Sequence, residues 1–522
     1  GIVGQTNPLS SITTTNSGNL TTTAAIWNIG TLSVAGTSSI GANITTSSTQ
    51  AYTGAVTLTA NTTLQVSTVT NSSTINGGGF SLAITGNSSI GGAISNVSIF
   101  SVSGTTSLGA DVSTTGTQTY SGAVTVNGAA RILTTTGNNV TFSSTVNSDS
   151  GGARNLTIAT GTAATVQFNG TVGNTYALGA IALTGSAALD LNAAITSAAS
   201  LSVSGTSDLG ANVTTSGTQT YTGAVTLSAS PTLTTTANTI TFSSTVNAVD
   251  ATDRDLTFGS GTGTVTFTGA VGTTFNLGTI TNASGQQLTF SDAVTATTIA
   301  NYGTLLFNAT SAKTITPAIT DNGTTTVQVI SNTDSNISLI TFSGNIAADT
   351  ITVGSSAKAG SALFNGTISG TNISVIGGDA ASSAENSQAT FANTVTVTAI
   401  TLDDNTGTAS VTFSGTSKTI TGTINGAAAT EGTINVTGTG KTFASIIGGT
   451  NSVSLITNSA ATTTFNNAVT ATTINQTGTS TILFNRTGGD ITIAANITDN
   501  GTSTIQVINS ADTNISTVTF SG

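Results

Sequence analysis

Gly41-Ala-Asn-Ile-Thr-Thr-Ser-Ser-Thr-Gln50-Ala-Tyr52-Thr-Gly-Ala-Val-Thr-Leu58 is written three times in this chain. It returns with small changes at 109–126, around Gln118 and Tyr120, and at 210–227, around Gln219 and Tyr221. A chain that repeats itself builds a core by stacking like on like, so the repeat governs every other reading. Between and beyond the copies, apolar and polar residues alternate with period two. Examples are Thr239-Ile-Thr-Phe-Ser-Ser-Thr-Val246, Gly263-Thr-Val-Thr-Phe-Thr-Gly269, Ala409-Ser-Val-Thr-Phe-Ser-Gly415 and Ser516-Thr-Val-Thr-Phe-Ser-Gly522. Each reads as a short strand closed by Gly or Asn, and no window keeps a helical period. The expected fold is an all-β solenoid with Val, Ile, Leu and Phe pointing inward. Val124 is one such residue, and Gly or Asn at the corners supplies the positive φ angles that turn the chain.

The step of the solenoid is suggested by phenylalanine. Phe342 to Phe364, Phe391 to Phe413 and Phe443 to Phe465 are equal intervals, and their length of about 22 residues suits one rung of a three-sided coil. At ~4.8 Å between stacked strands, about 24 rungs would give a rod on the order of 115 Å long. Longer repeats lie over this step. Phe142-Ser-Ser-Thr-Val-Asn147 returns as 242–247, and Arg154-Asn-Leu-Thr returns as Arg254-Asp-Leu-Thr. Thr320-Asp-Asn-Gly323 and Phe342-Ser-Gly344 recur at 498–501 and 520–522, the same offset of about 178 residues in both cases. Ala293-Val-Thr-Ala-Thr-Thr-Ile299 recurs at 468–474. Two dialects of solenoid follow. One spans 1–290 with the Gln-x-Tyr-x-Gly-Ala-Val repeat, and one spans 291–522 with the longer unit, cut in mid-unit at its end. Tandem immunoglobulin-like sandwiches are the alternative. The interval from Tyr120 to Tyr221 would suit them, but the shorter one from Tyr52 to Tyr120 would not, and one Trp and five Tyr are few for their cores.

Composition narrows the function. Charged residues are 5% of 522, with Lys+Arg 8, Asp+Glu 19 and a net charge of −11, so no basic stripe exists to follow phosphates and no nucleic-acid partner is expected. His, Cys and Met are all absent. A chain without Met is expected to be processed or to be part of a longer array. The lack of Cys fits export through an oxidising compartment. No signal peptide and no apolar run long enough to span a membrane is present in the sequence.

Thr117-Gln-Thr-Tyr-Ser-Gly-Ala-Val-Thr-Val126, with Val140-Thr-Phe-Ser-Ser-Thr-Val146, Asn155-Leu-Thr-Ile158 and Val166-Gln-Phe-Asn-Gly-Thr-Val-Gly173, resembles the repeat regions of filamentous-haemagglutinin-like exoproteins and autotransporter adhesin passengers of bacteria. The likeness is close over about 30–300. Beyond 300 it is one of style, in Thr-Asp-Asn-Gly and Phe-Asn-Gly units similar to rickettsial-type autotransporters. The resemblance implies a right-handed parallel β-helix, export through an outer-membrane β-barrel, and a role in adhesion, aggregation or surface fibres.

Little remains to carry chemistry. Without His or Cys, the commonest general base, the thiol nucleophile and the usual zinc ligands are missing. Asp253-Arg254-Asp255 brings carboxylates and a base together, as β-helical polysaccharide lyases do. Arg154, its counterpart, lacks flanking carboxylates, which favours a solvated turn. Asp403-Asp404-Asn405 suits either calcium at a turn or an Asx turn. Gly151-Gly152 and Gly488-Gly489-Asp490 lack the spacing of a calcium nonapeptide. Gln50/Tyr52, Gln118/Tyr120 and Gln219/Tyr221 put two side chains on one strand face, either as an exposed carbohydrate-contacting ladder or, the favoured reading, packed in the wall. The Asn-x-Ser/Thr triplets follow from composition and predict nothing about glycosylation.

No catalytic, cofactor-binding or metal residue is therefore assigned, and no enzyme activity or cofactor is expected. The expected role is a structural or adhesive segment of a large bacterial cell-surface or extracellular fibre. Its partners would be a host-cell or matrix surface or neighbouring copies of itself. A head-to-tail extracellular filament or surface-layer component, and a β-helical polysaccharide lyase or hydrolase, are the competing readings.

Overall fold

The computed structural model describes residue 3 and residues 7–162, 164–331, 337–378, 386–486, 489–509 and 517–522. The fold is an all-β parallel solenoid of about 22 turns with ~22 residues per turn, and the described residues include no helix. Two compact units divide it, Gly1–Gly263 and Thr264–Gly522. Paired strands run parallel in both, which excludes antiparallel sandwiches.

In the first unit each turn lays down three short strands on three walls. Val112–Thr114, Gln118–Tyr120 and Val124–Val126 make one turn, and Arg131–Thr134 begins the next. Period-two alternation explains the division of labour. In Gln118–Tyr120 the outer two residues are buried and the middle one is half-exposed, and the same holds at Val124–Val126, where Val124 is 1% exposed. One inward column runs Val102, Tyr120, Phe142, Phe168, Leu191, each the register partner of the next. A fully buried side chain of this kind contributes about 1.5–3 kcal/mol. Every turn repeats that contribution three times or more.

Turn length varies because corners vary. The turn from Val102 to its partner Tyr120 is short, the one from Tyr120 to Phe142 is longer, and the one from Phe142 to Phe168 is longer again. Corner loops of this kind lower the number of turns below that expected from a constant step. At some corners glycine is stacked on glycine. A Cβ on Gly122 would meet the Gly104 carbonyl oxygen at 2.3 Å, and one on Gly223 would meet that of Gly205 at the same distance. These corner glycines keep negative φ, so close approach of two backbones requires them, and the expected positive φ does not.

In the second unit the phenylalanine step is borne out. Phe342 and Phe364, Phe391 and Phe413, and Phe443 and Phe465 are direct register partners. The rings also explain the irregular spacings. Phe267, Phe290 and Phe307 stack on one wall, Phe342 to Phe413 on a second, and Phe443, Phe465 and Phe484 on the third. Phe520 returns to the first wall as the partner of Ile493. Along a wall the rings are near parallel, at 6° for Phe267–Phe290 and 11° for Phe342–Phe364. Where the series changes wall they meet edge to face, at 87° for Phe307–Phe342, 84° for Phe413–Phe443 and 76° for Phe484–Phe520. Both are favourable aromatic geometries, so the change of wall keeps the aromatic contacts.

Candidate functional site

The three Gln-Tyr pairs are interior. Gln50, Gln118 and Gln219 are each 0% exposed, and Tyr52, Tyr120 and Tyr221 at most 1%. In the middle copy Gln118 Nε2 donates to Val112 O at 3.2 Å, Thr114 Oγ1 at 3.3 Å and Thr134 O at 2.9 Å, while the Tyr120 hydroxyl donates to Gln118 Oε1 at 3.0 Å. The other two copies repeat these bonds with closely similar lengths. The glutamine thus ties the strand before it and the next turn to its own strand, and the tyrosine closes the amide's acceptor. Burial pushes all three phenols above the ordinary tyrosine range. An exposed carbohydrate ladder is excluded, and packing holds.

The copies do not stack on one another. Gln50 partners Leu32, Gln118 partners Phe100, and Gln219 partners Leu201, positions that lie on three different walls of the first unit. Neither interval between copies is a whole number of turns.

The charged clusters hold loops in place. Arg254 pairs with Asp250 at 3.6 Å, and the Asp255 amide donates to Ser230 Oγ at 3.0 Å. Arg154 likewise pairs with Asp149 at 3.1 Å. What recurs with the arginine is a carboxylate in the same loop shortly before it, Asp149 before Arg154 and Asp250 before Arg254, in place of the flanking pair read from the sequence. Amides of Gly128 and Gly151 and the Arg154 guanidinium hold the Asp149 carboxyl below the usual range, with the Gly128 amide the largest cause. At 403–405, Asp403 Oδ1 accepts from the Asn405 amide at 2.9 Å, and Asp404 accepts from the amides of Ala409 at 2.8 Å and Gly432 at 3.0 Å. This is an Asx turn stapled to a later turn. Among the described residues no three acidic side chains gather as a metal site. Gly488 lies outside the described residues.

One recurrent feature escaped the sequence reading. Val172-Gly-Asn-Thr-Tyr176, Val271-Gly-Thr-Thr-Phe275 and Ile447-Gly-Gly-Thr-Asn451 are the same kind of corner loop. Gly173, Gly272 and Gly448 take φ of 72°, 69° and 71°, and a Cβ there would come within 2.0 Å of a carbonyl oxygen. Asn147 Oδ1 accepts from the Thr175 amide at 2.9 Å, and Asn425 Oδ1 from the Thr450 amide at 3.0 Å. The first two loops hold an aromatic ring outward, with Tyr176 48% and Phe275 39% exposed. Gly-x-Thr followed by a lone aromatic was the available signal.

Ladders of small polar groups run along the outer faces of the strands, between scattered exposed apolar side chains such as Trp27, Ile99 and Ile132. One column of the first unit runs Ser33, Ala51, Thr70, Ser89, Ser107, Thr125, Asn147. One of the second runs Thr390, Thr412, Asn435, Thr457, Asn475, Thr498. Successive members stand one strand spacing apart, ~4.8 Å. The fold and surface together define a β-solenoid repeat protein. Comparison with models of protein families, with curated proteins and with solved structures gives no match.

Proposed function

We propose that this chain is a structural and adhesive segment of a large bacterial cell-surface or extracellular fibre. The observation that carries the reading is the division between inside and outside in each unit. Backbone ladders and buried side chains provide the stability, which leaves the outward Ser, Thr and Asn columns free to present the same weak contact turn after turn. Many weak contacts on one scaffold sum to strong attachment without a deep pocket. The carboxylates of Asp149, Asp250, Asp403 and Asp404 support this reading, since each is committed to backbone amides or a guanidinium. The partners on this reading are a host-cell or matrix surface or other copies of the chain, reached after export through an outer-membrane β-barrel.

The test is gold-labelled antibody against this segment, applied to intact cells of the bacterium that makes it and viewed by electron microscopy. Label on surface fibres or extracellular material is the expected result. Label that appears only after the cells are opened would overturn the reading.

A further inference from the structure

We propose that the groove beside Tyr176 is a binding site for a neutral saccharide. The groove has a volume of about 400 Å³, the scale of a site for one or two sugar rings, and is bounded by Thr125, Asn147, Asp149, Thr175 and Tyr176. Its aromatic wall is the half-exposed ring of Tyr176, whose backbone is fixed by three bonds. The Thr175 and Tyr176 amides donate to Asn147 Oδ1 at 2.9 and 3.4 Å, and the Ser148 amide donates to Tyr176 O at 3.2 Å. The ring therefore stands on a rigid base. Facing it are polar groups with capacity to spare. Among the described residues nothing accepts from Asn147 Nδ2, and the hydroxyls of Thr125 and Thr175 have no partner. Asp149, whose oxygens already accept from the Gly128 and Gly151 amides and the Arg154 guanidinium, closes one side of the groove.

That combination selects a ligand class. An aromatic face receives the C–H face of a pyranose, while an amide donor and two hydroxyls match the donor-and-acceptor hydroxyls of a sugar edge. The charge argues for neutrality, because Arg154 at 3.1 Å balances the Asp149 carboxylate. The corner loop does not require the ring. In the third corner loop Asn451 stands where Tyr176 does, with the loop glycine and its asparagine acceptor kept. The proposal deepens the adhesive reading and rests on it for biological meaning, though the binding itself is measured separately.

The experiment is isothermal titration of the full chain with maltotetraose, cellotetraose and chitotetraose, and with trigalacturonate as an anionic comparator. At least one neutral oligosaccharide is expected to bind, about tenfold more weakly to Tyr176→Ala and with little change to Tyr176→Phe. Circular dichroism of the two variants should match the parent, since the ring is outside the core. Binding unaffected by Tyr176→Ala, preference for trigalacturonate, or no binding of any neutral oligosaccharide would overturn the proposal. None of these results touches the surface labelling that tests the fibre reading.

Discussion

Replacing Gln118 by Leu keeps the volume and apolar character of the interior but removes an amide that serves four partners. The Tyr120 hydroxyl, fully buried, loses its acceptor at 3.0 Å, and a buried donor left unmet costs about 1–3 kcal/mol. Loss of the bonds to Thr134 O and Val112 O adds about 1 kcal/mol. The expected local cost is about 3 kcal/mol, and at 1.4 kcal/mol per decade the amides nearby should exchange about a hundredfold faster. Solenoids open locally, so hydrogen exchange read by mass spectrometry over peptides covering 108–135 is the suitable assay, with peptides near 395–415 as an unaffected control. Tyr120→Phe should cost about 1–2 kcal/mol, and the double variant less than the sum of the two, because both ends of the hydrogen bond are then gone. The same substitution at Gln50 and Gln219 is an internal replicate, since the bonds are the same and only the wall differs. Strictly additive effects, or exchange at 108–135 unchanged by Gln118→Leu, would refute the account of the network.

Three further outcomes are expected. Lys441 is buried, its ammonium donates to the Gly415 carbonyl, and burial, with Lys418 nearby, lowers its pKa from 10.5 to about 8. The unfolded chain therefore binds more protons between about pH 8 and 10.5, so stability rises with pH through that window. The cost is fully present below pH 8, where Lys441→Met should stabilise the fold and flatten the pH dependence of the melt. Gly173→Ala should lower the melting temperature and speed exchange across 172–197, because its Cβ would sit 1.9 Å from Ser197 O at a φ of 72°; Gly448→Ala, against Thr470 O, should do the same in the second unit. Asp208 stacks on Asp190, with its Oδ1 buried and unpartnered, where the other copies place Ser39 and Ser107, so Asp208→Ser should stabilise by about 0.5–1 kcal/mol, most at low salt. An unchanged melt for Asp208→Ser would argue against that stacking.

The sequence by itself determined that the chain is a β-solenoid, because a strand's inside and outside are written as period-two alternation and a turn's length as a recurring phenylalanine. It also placed Val124 and the Gln-Tyr pairs in the wall, since two residues two apart on a strand share a face. Tertiary structure decided which wall each repeat occupies. Corner loops make the turn from Phe142 to Phe168 longer than the one from Val102 to Tyr120, so near-identical stretches such as those at Gln50, Gln118 and Gln219 advance by fractions of a turn and fall on different walls. The partners of Arg154 and Arg254, and the outward ring of Tyr176, were equally hidden. Side chains on loops meet through the path of the backbone, and that path is fixed by the turns stacked above and below.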